Sequence, residues 1–255
     1  MASEVELSNA SLYSTTSLIQ YKTGCSFVDT FDLKLGDKVL DVGCGTGEVT
    51  KYVAKQVGDL GKVIGIDPDD ARVKLAQENT RTVSNASFHV GDSKLSFLND
   101  YQGYFNLHFS NHVYTWLSDE EKAVYVEVAF RCLKPGGSIA VQCVAQPDDD
   151  IDSRVIESSV SRLTSVNFQF AEERPAKELL SNVGFTEIDV KIIPSVTYFS
   201  SFKAYAEAFL ASSYTDINEL PDKELLEEFK LKAIEKDGRV KSKFNLMQIR
   251  ARKPQ

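Results

Sequence analysis

The stretch KVLDVGCGTGEVT, residues 38–50, decides how the rest of the chain is read. Val39, Leu40 and Val42 form a short β-branched and aliphatic run, and Val49, Tyr52, Val53 and Val57 then recur at helical spacing. Between them Gly43, Gly45 and Gly47 make a turn that side chains would block. The pattern predicts a buried strand, a glycine-rich turn and an amphipathic helix whose free N–H groups point back at the turn. A small molecule can approach the backbone closely there.

Several kinds of ligand use such a turn, and the neighbouring residues choose among them. A triphosphate loop needs Gly-Lys followed by Ser or Thr, whereas Gly47 is followed by Glu48. A dinucleotide loop spaces its glycines as G-x-G-x-x-G and gives a pyrophosphate little reason to tolerate carboxylates at both ends. Here Asp41 precedes the turn and Glu48 follows it. These carboxylates suit a positively charged ligand, such as an amino acid's ammonium beside a sulfonium. The next apolar run, KVIGIDPDD at residues 62–70, ends in Asp67, where an acidic side chain can accept both hydrogen bonds of a ribose diol. Ribose joined to a cationic amino acid describes S-adenosylmethionine.

DVGCGTG at residues 41–47, the strand-end Asp67, GDS at 91–93 and LKPGG at 133–137 resemble, in order, the motifs of class I S-adenosylmethionine-dependent methyltransferases. The resemblance runs over roughly residues 8–252. It implies an α/β fold, a doubly wound, Rossmann-like, seven-stranded and mostly parallel sheet with a helical cap. It also implies S-adenosyl-L-methionine as cofactor and S-adenosyl-L-homocysteine as product. The cofactor residues carried over are Asp41, Gly43, Cys44 and Gly45 at the turn, Asp67 with Pro68 at the second strand end, Asp92 and Ser93 toward adenine, and Ser110.

A narrower resemblance, to juvenile hormone acid methyltransferases and more loosely to trans-aconitate methyltransferases, rests on Leu12, Tyr13, Gln20 and Trp116. It places Tyr13, Gln20, Asn111, His112 and Trp116 beside the substrate. The juvenile hormone family commonly has a histidine directly before its tryptophan, but here Thr115 stands there and His112 lies further upstream. A carboxylate acceptor is already ionised at neutral pH and needs no base. An amine or phenol would need one, and His112 is then the candidate base or orienter. The expected reaction is O-methylation of a small lipophilic carboxylic acid of the juvenile hormone acid or farnesoic acid type. The alternatives are methylation of a small amine, phenol or thiol, and a non-catalytic, cofactor-binding regulatory role.

The formal charge of −8 and the absence of a Lys/Arg stripe argue against a nucleic-acid acceptor and for a small-molecule one. Cys25, Cys44, Cys132 and Cys143 show no C-x-x-C spacing, which fits free thiols in a reducing cytoplasm. The opening MASEVELSNA is polar and acidic, so neither a secretory signal nor a membrane anchor is expected. His89, His108 and His112 lack the partners and spacing of a metal site, and no metal is expected. Residues 1–255 read as one methyltransferase domain, with N-terminal helices over 8–34 and an insertion at 195–238 as a substrate cap; monomer and homodimer both remain open.

Along the chain, Asp69 or Asp70 is expected to cap a helix, and Ser118 or Asp119 another. Leu133–Gly137 reads as a helix stop and tight turn, followed by a strand at Ser138–Val144. A strand is expected at Thr186–Ile193 and a closing antiparallel one at Phe244–Ala251. His108 reads as a hydrogen-bonded core or strand-end histidine and not a ligand, and Asp148–Asp150 as a solvated acidic loop. Tyr198, Phe202, Tyr205 and Phe209 share a helical spacing, an aromatic stripe that either packs on the sheet or lines a lipophilic pocket.

Overall fold

The computed structural model describes residues 10–13, 16–92, 98–145, 151–160, 168–213, 216–220 and 222–255. After a helical turn at residues 10–13, the chain runs through helix α1 (Leu18–Val28), strand β1 (Lys38–Val42), α2 (Glu48–Val57), β2 (Lys62–Asp67), α3 (Asp70–Asn79), β3 (Ala86–Val90) and the short α4 (Leu98–Tyr101). There follow β4 (Phe105–Asn111), α5 (Asp119–Cys132), β5 (Leu133–Val144), α6 (Ile151–Val160) and α7 (Glu173–Val183). The chain closes with β6 (Thr186–Phe199), α8 (Phe202–Ser213), α9 (Lys223–Ala233) and β7 (Val240–Arg252).

The seven strands form one sheet in the order β3-β2-β1-β4-β5-β7-β6. Strands β3 to β5 pair in parallel, whereas β7 runs antiparallel between β5 and β6. Sequence order reverses between β1 and β4, and open α/β sheets bind ligands at the carboxyl ends of the strands beside such a reversal. The glycine turn leaves β1 at that point.

Alternation along the strands divides the interior into two layers. Val39, Val63, Leu107 and Phe109 pack with Phe27 of α1 and Val53 and Val57 of α2. Leu40, Ile64, Ile139 and Val141 face the other way, toward Tyr125 and Ala129 of α5 and Leu180 of α7. Helix starts follow local chemistry. The Asp69 carboxylate accepts from the backbone N–H groups of Ala71 and Arg72, and Ser118 forms a reciprocal capping box with Glu121.

Several boundaries differ from the sequence-based expectation. Strand β5 begins at Leu133, because Leu133 leaves α5 with extended backbone and pairs at once with Phe105, the register then shifting across a bulge. Strand β6 continues to Phe199 and β7 begins at Val240, so residues 195–199 pair in the sheet and are not part of a helical insertion. Tyr198 therefore lies half-exposed on a strand, and the aromatic helix starts at Phe202.

The rest of that stripe packs against the ends of β6 and β7 and against α9. Tyr205 lies edge-on to Phe199 of β6 at 5.1 Å and stacks on Phe229 of α9 at 4.9 Å, in one buried cluster with Val155 of α6, Ile217, Leu226 and Val240 of β7. The run Asp148–Asp150 lies outside the described residues.

Candidate active site

The turn after β1 is built by close approach. A Cβ on Gly43, at φ +71°, would fall 2.1 Å from Val113 Cγ2, and one on Gly45, at φ +54°, would fall 3.2 Å from the Tyr13 ring. Only glycine combines this backbone with these neighbours. The Gly45 N–H donates to Asp67 Oδ2 at 2.9 Å, and the Asp69 N–H donates to Asp67 Oδ1 at 3.0 Å. The ends of β1 and β2 are thereby tied together, with Asp67 buried between them.

Asp41 is also buried and accepts a 2.6 Å hydrogen bond from the Thr50 hydroxyl of α2. Burial pushes its carboxyl up to about 7, with the Thr50 bond opposing the shift and nearby Asp67 adding to it. Asp67 is likewise raised, chiefly by burial. Asp41, Cys44 and Glu48 line one narrow cleft with Tyr13, Gln20 and Asn111. Carboxylates concentrated beside a glycine turn leave a deficit of positive charge that a cationic ligand would fill.

Tyr13 is held over the turn by Arg72, whose guanidinium lies 4.2 Å from the Tyr13 ring centroid. Arg72 also donates to the Ala211 carbonyl of α8 at 3.1 Å and sits 3.5 Å from Asp69. Burial raises the Tyr13 hydroxyl to about 12 against the pull of Arg72, so it stays protonated. Gln20 donates to Ser212 Oγ of α8 at 2.9 Å. The N-terminal segment and the end of α8 thus meet above the cleft.

The other residues singled out from sequence are dispersed around this centre. Pro68 and Asp92 are exposed at the ends of β2 and β3, and Ser93 lies outside the described residues. Ser110 is buried, and its hydroxyl pairs with the Tyr125 hydroxyl at 2.7 Å on the α5 side of the sheet. Its neighbour Asn111 faces the cleft but is already engaged: Nδ2 donates to the Gln20 carbonyl at 2.9 Å, and Oδ1 accepts from Gln142 at 2.8 Å.

His112 follows with φ +62°, an uncommon conformation for a residue with a side chain, and its N–H donates to the Gln142 carbonyl. Burial lowers its imidazole to about 4, and Nε2 lies 3.5 Å from the Thr23 hydroxyl. Trp116, in a single helical turn at Tyr114–Trp116, sets its ring edge-on to Phe168 at 4.9 Å. His108 is fully buried against Tyr125, and burial lowers it to about 3.

Thr50, Arg72 and Gln142 were absent from the sequence-derived set. Gln142 joins a ladder across the sheet, accepting from Gln248 at 2.7 Å while donating to Asn111. Among the described residues no group of three His, Cys, Asp or Glu side chains is arranged for a metal ion, and no helix is long and apolar enough to cross a membrane.

The glycine cradle and the carboxylates beside it fit a cationic ligand such as S-adenosylmethionine. Residues 39–137 match the family described as a methyltransferase domain. The seven-stranded sheet around that matched stretch has the α/β fold of the solved methyltransferases it superposes on.

Among known proteins, a putative methyltransferase of Invertebrate iridescent virus 6 is 39% identical over 84 residues, covering 33% of this chain and 30% of that protein. The demethylmenaquinone methyltransferase of Staphylococcus haemolyticus is 26% identical over 179 residues, 62% of this chain and 72% of the relative. The structure of Haemonchus contortus phosphoethanolamine N-methyltransferase 2 in complex with S-adenosyl-L-methionine superposes with a TM-score of 0.61 at 18% identity, covering 92% of this chain and 53% of that one. The chain spans less than a third of the viral relative's length.

Proposed function

We propose that this chain O-methylates a small lipophilic carboxylic acid, of the juvenile hormone acid or farnesoic acid type, with S-adenosylmethionine as methyl donor. The observation that carries this reading is His112. It directly follows Asn111 of the cleft wall and its ring meets Thr23, yet burial lowers it to about 4, where it is neutral and a weak base at neutral pH. An amine or phenol acceptor needs a base matched to neutral pH, whereas a carboxylate is ionised without help.

The donor supplies an activated methyl on a sulfonium, so the protein's task is alignment and exclusion of water. Asp41 and Glu48 hold the donor's ammonium end, and Asp67 takes the ribose diol. Tyr13, held by Arg72, and Gln20, held by Ser212, close the cleft from above; Asn111 ends β4, and His112 and Trp116 lie on the loop that follows it. The N-terminal helices and the 202–233 helices form the substrate cap in this reading. Proteins similar to this one are named for demethylmenaquinone, arsenite and cobalt-precorrin methylation; the lipophilic acid rests instead on the resemblance at Gln20 and Trp116 and on the weak basicity of His112.

A label-transfer assay with methyl-labelled S-adenosylmethionine tests the proposal against free acids of graded chain length, amines, phenols and thiols. Base-labile labelled product from an acid supports it. Base-stable label moves the acceptor to nitrogen or another atom, and cofactor binding without transfer favours a regulatory role.

A further inference from the structure

A second cavity lies across the sheet from Asp41, between the starts of α5 and α7. It is a half-open pocket of about 430 Å³ and shares none of the described residues that line the cleft beside the glycine turn. One side is apolar, with Phe170, Ala176 and Leu179, and the other presents Tyr114 and Lys122. Lys122 is a lysine in an unusual place, with only 10% of its side chain exposed.

Its ammonium donates to the Gln169 amide oxygen at 2.9 Å and to Asp119 Oδ1 at 3.2 Å. The first partner is neutral. The second is 82% exposed, so water screens its attraction for the ammonium. Glu172, the other acidic residue lining the cavity, is also exposed. The cation therefore sits in the protein with its carboxylates out in solvent. A buried ammonium is costly unless a close anion and full hydrogen bonding compensate it; among the described residues it has two oxygen acceptors and the Tyr114 ring 5.6 Å away, so one of its three donors has no oxygen acceptor there.

We propose that this cavity is a second small-molecule site, one that takes an organic anion with an apolar body. The carboxylate meets Lys122 at its remaining donor, and the chain lies between Phe170 and Leu179. The site adjoins the loop that follows β4: the Gln169 N–H donates to the Thr115 carbonyl at 2.8 Å, and Trp116 packs on Phe168. A ligand here bears on that loop from behind. The inference stands independently of the proposed acceptor chemistry.

The probe is decanoate, titrated by calorimetry into the full chain saturated with S-adenosylhomocysteine, with decanol as the uncharged control. The expected result is that Lys122→Gln removes one binding equivalent of decanoate or weakens it about tenfold or more, as the loss of a charged hydrogen bond requires. Decanol should bind the wild-type protein weakly. Trp116, the single tryptophan, should change its fluorescence with the Lys122-dependent equivalent.

Leu179→Trp fills the cavity without touching the ammonium, and should abolish the same equivalent if Lys122→Gln proves too unstable to titrate. Decanoate binding equal in wild-type and Lys122→Gln protein overturns the proposal, as does equal binding of decanol or no binding at all. Binding that survives Lys122→Gln at full affinity still leaves the acceptor-site reading standing. Affinity for S-adenosylhomocysteine, measured in the same protein, reports on the cofactor site separately.

Discussion

Asp41 should make cofactor affinity and fold stability respond to pH in opposite directions. The carboxyl is 2% exposed and raised from 3.8 to about 7, mainly by burial. That displacement corresponds to roughly 4 kcal/mol of preference for the neutral acid in the ligand-free fold. The unfolded chain releases this proton near pH 4 and the folded chain near pH 7, so between those values the folded state binds more protons. Stability therefore falls as pH rises through the window, and above about pH 7 the whole cost is present.

A bound ammonium reverses the preference, because it pairs with the ionised form. Cofactor affinity should rise over the same window. Asp41→Asn removes the titration. Its melting temperature should lose most of the pH dependence and exceed the wild type's at about pH 8, while S-adenosylhomocysteine binds on the order of a hundredfold more weakly for want of the buried charge pair. Thermal melts and calorimetry from about pH 5.5 to 8.5 read both quantities. Wild-type affinity flat across that range, or Asp41→Asn binding within about threefold of wild type, would refute the reasoning.

Arg72→Leu removes the cation over Tyr13 and the bond to the Ala211 carbonyl, and should weaken S-adenosylhomocysteine binding by about 1–2 kcal/mol; unchanged calorimetric affinity would mean that Tyr13 holds its place without the arginine. His112→Asn keeps a residue that tolerates positive φ, and turnover of a carboxylate acceptor should stay within about fivefold of wild type with an unchanged pH profile. A titration near neutrality that vanishes in this variant would restore His112 as a base. His108→Leu replaces an imidazole whose two nitrogens have no hydrogen-bond partner among the described residues. It should raise stability by about 1–2 kcal/mol in urea unfolding, and a loss would show that the ring's edge contact with Tyr125 outweighs its desolvation.

What could be read from the sequence was local. The Asp69 cap and the Ser118–Glu121 capping box each join residues within a few positions, so spacing carries the geometry, and the glycine turn is marked by its own spacing even though its bond to Asp67 is long-range. The aromatic stripe misled because Tyr198 and Phe202 stand four apart by coincidence: the strand pairing of Tyr198 with Lys241 overrides helical spacing up to Phe199. Arg72 was hidden for a different reason. Its partners Tyr13 and Ala211 come from opposite ends of the chain, and neither is nearby in sequence.

The pair Ser110 and Asn111 could have been separated in advance. Neighbouring residues on a strand point to opposite faces, so both side chains cannot reach one cleft. Parity on β4 settles which does: His108 shares the face of Leu40 and Tyr125, Ser110 follows it there, and Asn111 turns to the side of Gln20. What parity cannot give is the partner. Asn111 meets Gln142, and Gln142 meets Gln248, only because β4, β5 and β7 are aligned at those rungs. A register slip of one residue on β5 would turn Gln142 into the apolar layer around Tyr125, leaving the Asn111 carbonyl oxygen without its donor and the Gln20 segment without a rigid support. The polar ladder thus fixes the strand register and the cleft wall together, and it compensates the burial of a glutamine at 1% exposure near the end of a hydrophobic strand.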